Sequence, residues 1–157
     1  MINTNLPKFR ISQEGTWYFN NSKIERLELV RLFSSYLQKD FQGKYWLEGP
    51  YEKIPIDVED TPFVIKEIEF KKNEINSSCW AITNTNEKIL ISKNNPFKLI
   101  KNKNKFSKPY IYIRDGIYAL LLRSPYYHLS EFITHKNGWY GFWSDNNFFK
   151  IEKEENF

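Results

Sequence analysis

A single cysteine, Cys79, excludes an intramolecular disulfide framework and fits a reducing compartment. Its neighbours Ser78 and Trp80 offer no basic partner, so the thiol reads as buried and inert rather than nucleophilic. There are only two histidines, His128 and His135, seven apart on roughly one face of a predicted second helix. No carboxylate or thiol stands beside them at zinc-ligand spacing, so they read as ordinary surface or interface residues. Six glycines are scattered at turns and form no phosphate-binding loop. Neither a G-x-S-x-G elbow nor an H-E-x-x-H pair occurs. Nothing argues for an enzyme, and no cofactor is named. The longest clean apolar run, Ile117 to Leu122, falls far below the roughly 18 residues that span a bilayer. Residues 1–10 hold no apolar leader segment. The expectation is a cytoplasmic protein with no membrane partner.

Aromatic residues, by contrast, are plentiful at 18%, and the net charge is +4. Large rings fill the cores of small β-rich proteins, each burying about 150–250 Å². The positive balance accompanies many Asn, Lys and Ile residues, a pattern of AT-rich coding, which weakens any step from charge to nucleic acid.

The second half of the chain echoes the first. Trp17-Tyr18-Phe19, a turn at Asn20-Asn21, an apolar-periodic segment to Leu37, a break at Gly43 and strands near 44–48 and 51–58 form one unit. Tyr110 to Ile113, a turn at Asp115-Gly116, a segment to Ile133, a break at Gly138 and strands at 139–143 and 147–151 form the other. Asn20 and Asp115, Gly43 and Gly138, and Ile56 and Ile151 are each 95 apart. This predicts an α+β fold, mostly antiparallel strand with two helices and an internal duplication. An N-terminal hairpin–helix–hairpin module spans 1–60, and a larger β-rich module containing the second repeat spans 61–157.

Local signals refine this picture. Ser22 with Glu25 fits a capping box, and Leu29, Val30, Phe33, Tyr36 and Leu37 follow at helical spacing. Pro55 marks an edge or bulged strand. Strands are expected at 63–71, with one bulge, and at 77–83, 88–92 and 97–101. Ser124 is placed to cap the second helix, with Pro125 at its first position and Tyr126, Leu129, Phe132 and Ile133 as its stripe. Residues 152–157 read as a frayed end.

Two charged stretches stand out. Six lysines, at 93, 98, 101, 103, 105 and 108, occur without an acid, and 101–108 reads as the longest loop. Such a run either follows a phosphate backbone or is a solvated loop. Only Phe97 and Phe106 accompany it, too few for a stacking platform, so nucleic acid is not expected as a partner and duplex DNA or RNA should bind only weakly. Asp57 and Glu59 share one strand face and require solvent, a metal, or a partner among Lys53, Arg26 and Arg31.

The order of Gly15-Thr16-Trp17-Tyr18-Phe19, Leu29-Val30, Leu32-Phe33, Asp40, Gly43, Tyr45-Trp46-Leu47, Pro50, Glu52-Lys53, Val58-Glu59-Asp60 and Pro62-Phe63 resembles an uncharacterised proteobacterial family, a domain of unknown function. Pro109-Tyr110, Ile113-Arg114, Arg123-Ser124-Pro125-Tyr126-Tyr127 and Gly141-Phe142-Trp143-Ser144 extend the likeness over nearly the whole chain. The resemblance implies a duplicated two-domain core whose C-terminal part is superficially similar to pleckstrin-homology folds. It also implies a ligand site at the domain interface for a nucleotide-like molecule, and a role in signalling.

The functional expectation is therefore a non-catalytic sensor with a small anionic ligand in an inter-module cleft. Arg114 and Arg123 would grip the anion, with Tyr126 and Tyr127 beside it. Tyr45 and Trp46 would form the opposing wall, with Glu52, Lys53 and Asp60 on the rim. The arginines could instead pair with Asp57, Glu59 or Asp60. A different class of function, a protein- or nucleic-acid-interaction module, would use the basic segment 93–108. No protein partner is indicated.

Overall fold

The computed structural model describes residues 8–72, 76–101 and 104–156. The chain divides into two compact units, Met1–Pro62 with Asp115–Ile117, and Phe63–Arg114 with Tyr118–Phe157. The fold is α+β, with two helices and mostly antiparallel strands among the described residues.

The N-terminal unit runs β1 (Phe9–Ile11), β2 (Trp17–Phe19), β3 (Ser22–Lys23), α1 (Leu27–Ser35), β4 (Leu37–Lys39), β5 (Tyr45–Glu48) and β6 (Lys53–Val58). Its sheet order is β3-β2-β1-β6-β5-β4. Strand β6 is interior, not an edge. Its first half pairs antiparallel with β5, at Trp46↔Pro55 and Leu47↔Ile54. Its second half, from Ile56, pairs parallel with β1. Pro55, with no N–H to donate, stands where one partner ends and the other begins, so each half of β6 is locally an edge.

The expected capping box is not formed. Asn20 and Asn21 take left-handed φ values of 47° and 67°. That tight turn folds Ser22 and Lys23 back onto β2 as β3, which leaves Ser22 unable to cap a helix. Helix α1 begins at Leu27, after Arg26 in extended conformation, with no side-chain cap. It ends at Ser35 and buries Val30 and Ser34, while Leu37 is buried from β4. Phe9 packs on Phe19 and Phe33, each at 5.1 Å between ring centres. Trp17 is 1% exposed and its Nε1 has no hydrogen-bond partner. That orphan donor costs about 1–3 kcal/mol, which burial of the large ring offsets.

The C-terminal unit runs β7 (Phe63–Lys72), β8 (Ser77–Thr83), β9 (Lys88–Leu90), β10 (Phe97–Lys101), β11 (Ser107–Arg114), β12 (Ile117–Leu121), α2 (Arg123–Ser130), β13 (Thr134–Lys136), β14 (Trp139–Ser144) and β15 (Asn147–Lys153). One sheet has the order β10-β11-β12-β7-β8-β9, with β12 parallel to β7, and β13-β14-β15 form a separate meander. The expected bulge falls between Ile65 and Glu67. Residues 101–108 are not one long loop, because β10 reaches Lys101 and β11 starts at Ser107. Lys103 lies outside the described residues. Glu154–Asn156 close a short 3-10 turn rather than fraying.

Helix α2 starts two residues earlier than Pro125 requires, with Leu122 as an extended N-cap and no side-chain cap. It stops at Ser130, so Phe132 lies beyond it and stacks on Phe70 at 3.7 Å instead. His135 consequently sits in β13, not on the helix with His128.

Both repeats share one element order: hairpin, helix, three-stranded meander. Asp115-Gly116 is left-handed at both residues, at 48° and 78°, as Asn20-Asn21 is, and Gly43 and Gly138 match at 85° and 82°. The repeats differ in attachment. The first meander joins its hairpin through β1, whereas the second stands as its own sheet.

Cys79 is fully buried, and burial pushes its thiol up to about 12. An unfolded chain would ionise this thiol near its ordinary value of about 8.5. Its contribution is therefore constant below that pH and is lost as pH rises toward the folded value, at up to about 1.4 kcal/mol per unit. Urea midpoints measured from pH 8 to 11 should fall more steeply for the wild type than for Cys79→Ala; parallel curves would refute this.

Candidate functional site

Two tight turns build the second meander. Asn137-Gly138 and Asp145-Asn146 both take left-handed φ values, which suits two-residue hairpins. Strand β15 carries one extra residue, Ile151, because Tyr140 pairs with Glu152 and Gly141 with Lys150. Side chains alternate faces along each strand. Phe142, Ser144 and Phe149 point inward and are buried. Phe142 meets Phe97 at 5.2 Å and Phe149 at 5.5 Å. Ser144 Oγ accepts from Cys79 N at 2.8 Å and donates to the Ile91 carbonyl at 2.6 Å, tying β14 to the larger sheet.

The outward face carries Lys136, Trp139, Trp143, Phe148, Lys150 and Lys153, as the cross-strand pairs Lys136↔Trp139, Trp143↔Phe148 and Trp139↔Lys153 require. Gly141 lies among them, and a Cβ there would come within 2.8 Å of the Phe148 ring, so glycine lets that ring lie flat over the strand. Trp143 and Phe148 are 5.4 Å apart. Lys136 Nζ stands 4.4 Å from the Trp143 ring centre, and Lys150 Nζ 4.8 Å from that of Trp139. These groups line an open cavity of about 400 Å³ together with the amides of Asn137, Asn146 and Asn147. Of the carboxylates in and beside the meander, Glu154 pairs with His135 at 3.0 Å, Glu152 lies near Tyr126, and Asp145 lines a separate groove.

Sequence reasoning missed this face. The signal was present in the alternation of Trp139, Gly141 and Trp143 with lysines at 136, 150 and 153. It was read only as strand pattern, because neither the turn registers nor the bulge at Ile151 is visible without coordinates.

Within each unit the residues expected to form the site fall on separate elements. Arg114 ends β11 and Arg123 opens α2, at opposite ends of the five-residue β12, about 17 Å apart by strand rise. Arg114 lines a groove with Lys88, Glu87 and Asp145. Arg123 Nε donates to Tyr127 Oη at 2.9 Å. Tyr126 is half-buried, and burial followed by the nearby Glu152 raises its hydroxyl pKa. Tyr45 and Trp46 are adjacent on β5 and so face opposite sides of the sheet. Burial and then Asp60 raise the pKa of Tyr45.

Trp46 braces a loop. Its Nε1 donates to Asp40 Oδ2 at 2.9 Å, while Asp40 Oδ1 accepts from the backbone N–H groups of Gln42 and Lys44, each at 2.9 Å. The Trp46 bond, then that of Lys44, holds the Asp40 carboxyl below its usual range. Lys53 Nζ covers the Trp46 ring at 4.7 Å. Glu59 pairs with Arg10 at 3.3 Å and accepts from Gln13 N at 3.0 Å, not with Lys53, Arg26 or Arg31 as expected. Glu52 lines a second cavity of about 270 Å³ in the N-terminal unit, walled by Phe9, Phe33, Tyr36, Leu47 and Ile54. No cation lines it, so it suits apolar groups rather than an anion. Among the described residues, no cluster of His, Cys, Asp or Glu is set to hold a metal. No described helix is long and apolar enough to cross a membrane.

These features define a β-rich α+β protein of two units carrying a repeated hairpin–helix–meander. Residues 4–61 match the N-terminal domain model of the domain of unknown function DUF1285, and residues 62–151 match its C-terminal domain model, so the chain belongs to the DUF1285 family. The expected likeness to an uncharacterised proteobacterial family is thereby borne out. A crystal structure of a DUF1285 family protein from Silicibacter pomeroyi DSS-3 is similar, with TM-score 0.83 and 30% identity over 97% of this chain and 86% of that one. A second, from Shewanella baltica OS155, has TM-score 0.60 and 25% identity over 80% of this chain and 91% of that one. No curated protein matches the chain.

Proposed function

We propose that the chain is a non-catalytic binding protein that takes a small anionic ligand of nucleotide type and serves as a cytoplasmic sensor in bacterial signalling. The observation that carries this reading is the outward face of β13–β15. A base or other flat ring stacks on Trp143, taking the place of the Lys136 ammonium over that ring, with Phe148 tilted at 60° beside it; phosphate oxygens meet Lys136 and Lys150. Asn137 and Asn146 in the same cavity supply amide donors and acceptors for ring edges, while Asn147 Nδ2 donates to the Asp145 carbonyl at 2.7 Å. This places the ligand away from Arg114 and Arg123, which lie too far apart to share one small anion.

A thermal-shift panel of nucleoside mono- and diphosphates with inorganic phosphate tests the reading. A ligand at 100 times its Kd adds about 2.7 kcal/mol of stability, which raises Tm by roughly 5–10 °C for a protein of this size. The shift should vanish in Trp143→Ala and shrink in Lys150→Ala. No shift across the panel, or an equal shift in both variants, would overturn it.

A further inference from the structure

Resting on that reading of the same face, we infer that its full ligand is single-stranded nucleic acid, with the mononucleotide as its smallest binding unit. The face is larger than one nucleotide needs. Trp143 makes one ring platform, with Phe148 tilted at 60° beside it. Trp139 makes another, about 13 Å along β14 by strand rise. Lys136 stands at the first, and Lys150 and Lys153 stand at the second, 4.8 and 5.5 Å from the Trp139 ring centre. Aromatic platforms interleaved with cations on an open sheet face are what unpaired bases and their phosphates require. A duplex hides its bases and gains only the lysines. The basic stretch 93–108 fits less well. Lys93, Lys98, Lys101 and Lys105 are exposed there, but the single ring left open beside them is Phe106, at 71%. A lipid surface would favour rings that protrude, whereas here Trp139, Trp143 and Phe148 all wall a cavity that asparagines share.

The test is fluorescence anisotropy of the full chain with labelled dT8 and U8, against UMP, an 8-base-pair duplex, and vesicles containing phosphatidylserine. The octamers should bind at least 10-fold more tightly than UMP and than the duplex. Three lysines on the strand predict a log–log salt slope of about −2, a loss of roughly 15- to 20-fold between 50 and 200 mM salt. Trp143→Ala should weaken binding about 10-fold and Trp143→Phe should largely restore it. Lys136→Ala, a change at an exposed side chain, should weaken binding and flatten the salt slope even if Trp143→Ala fails to fold. If UMP binds through Trp143 but the octamers bind no better, the inference fails and the ligand reading stands. If neither binds, both fail. Vesicle binding without octamer binding, or octamer binding unchanged by Lys136→Ala, also overturns the inference.

Discussion

Gly141→Ala is expected to destabilise the C-terminal unit by about 3 kcal/mol or more and to abolish ligand binding. A Cβ at position 141 would lie 2.1 Å from the Phe149 carbonyl oxygen, a contact with backbone that rotamer changes cannot relieve. The β14–β15 pairing would have to open. The same Cβ would meet Phe148 Cζ at 2.8 Å and lift that ring off the outward face. Urea denaturation should show the midpoint falling, and nucleotide titration should show no saturable signal. An unchanged midpoint would mean that the register around the bulge at Ile151 differs from that described.

Phe142→Ala is expected to cost about 3–5 kcal/mol. The ring is fully buried and touches Phe70, Phe97 and Phe149, so its removal leaves a cavity bordered by three other rings. Phe142→Leu, which keeps much of the volume, should cost well under half as much. Comparable losses in the two variants would argue against a packed role. The large expected penalty follows from architecture: the second meander pairs with no other sheet, and Phe142 and Ser144 are prominent among the groups that hold it to the larger one.

The fold was legible where the chemistry is local. Asn20-Asn21 and Asp115-Gly116 are turn pairs whose left-handed φ preference needs no tertiary context, and they set the repeat. Strands β7, β8 and β10 read directly from β-branched and aromatic runs. Boundaries were illegible where two structures compete for one signal. Ser22 fits a helix cap and a hairpin strand, and the hairpin's cross-strand bonds win. Leu37 continues the apolar stripe of the first helix and His135 stands at helical spacing from His128, yet Leu37-Gln38-Lys39 and Thr134-His135-Lys136 form three-residue strands because β5 and β14 offer open edges beside them. Pro55 gave a true local constraint and a false global one, since β6 exchanges partners at that residue.

The site was less legible than the fold. Arginine beside a helix start is a recognisable anion motif, but Arg123 turns to Tyr127 and Arg114 lies at the far end of β12. The aromatic–lysine face depends on which residues of three strands share a side. That is fixed by two hairpin registers and one bulge, none of which composition reveals.

The central claim is that the outward face of β13–β15 takes the ligand. The chain has five tryptophans, at 17, 46, 80, 139 and 143, and so five indole N–H signals in a ¹H–¹⁵N spectrum of this 19.0 kDa protein. Titration with a nucleoside monophosphate should move the signals of Trp139 and Trp143 together, with one Kd, and leave Trp17, Trp46 and Trp80 in place. Movement at Trp46 with Trp139 and Trp143 unmoved, or no movement at millimolar nucleotide, would contradict the account.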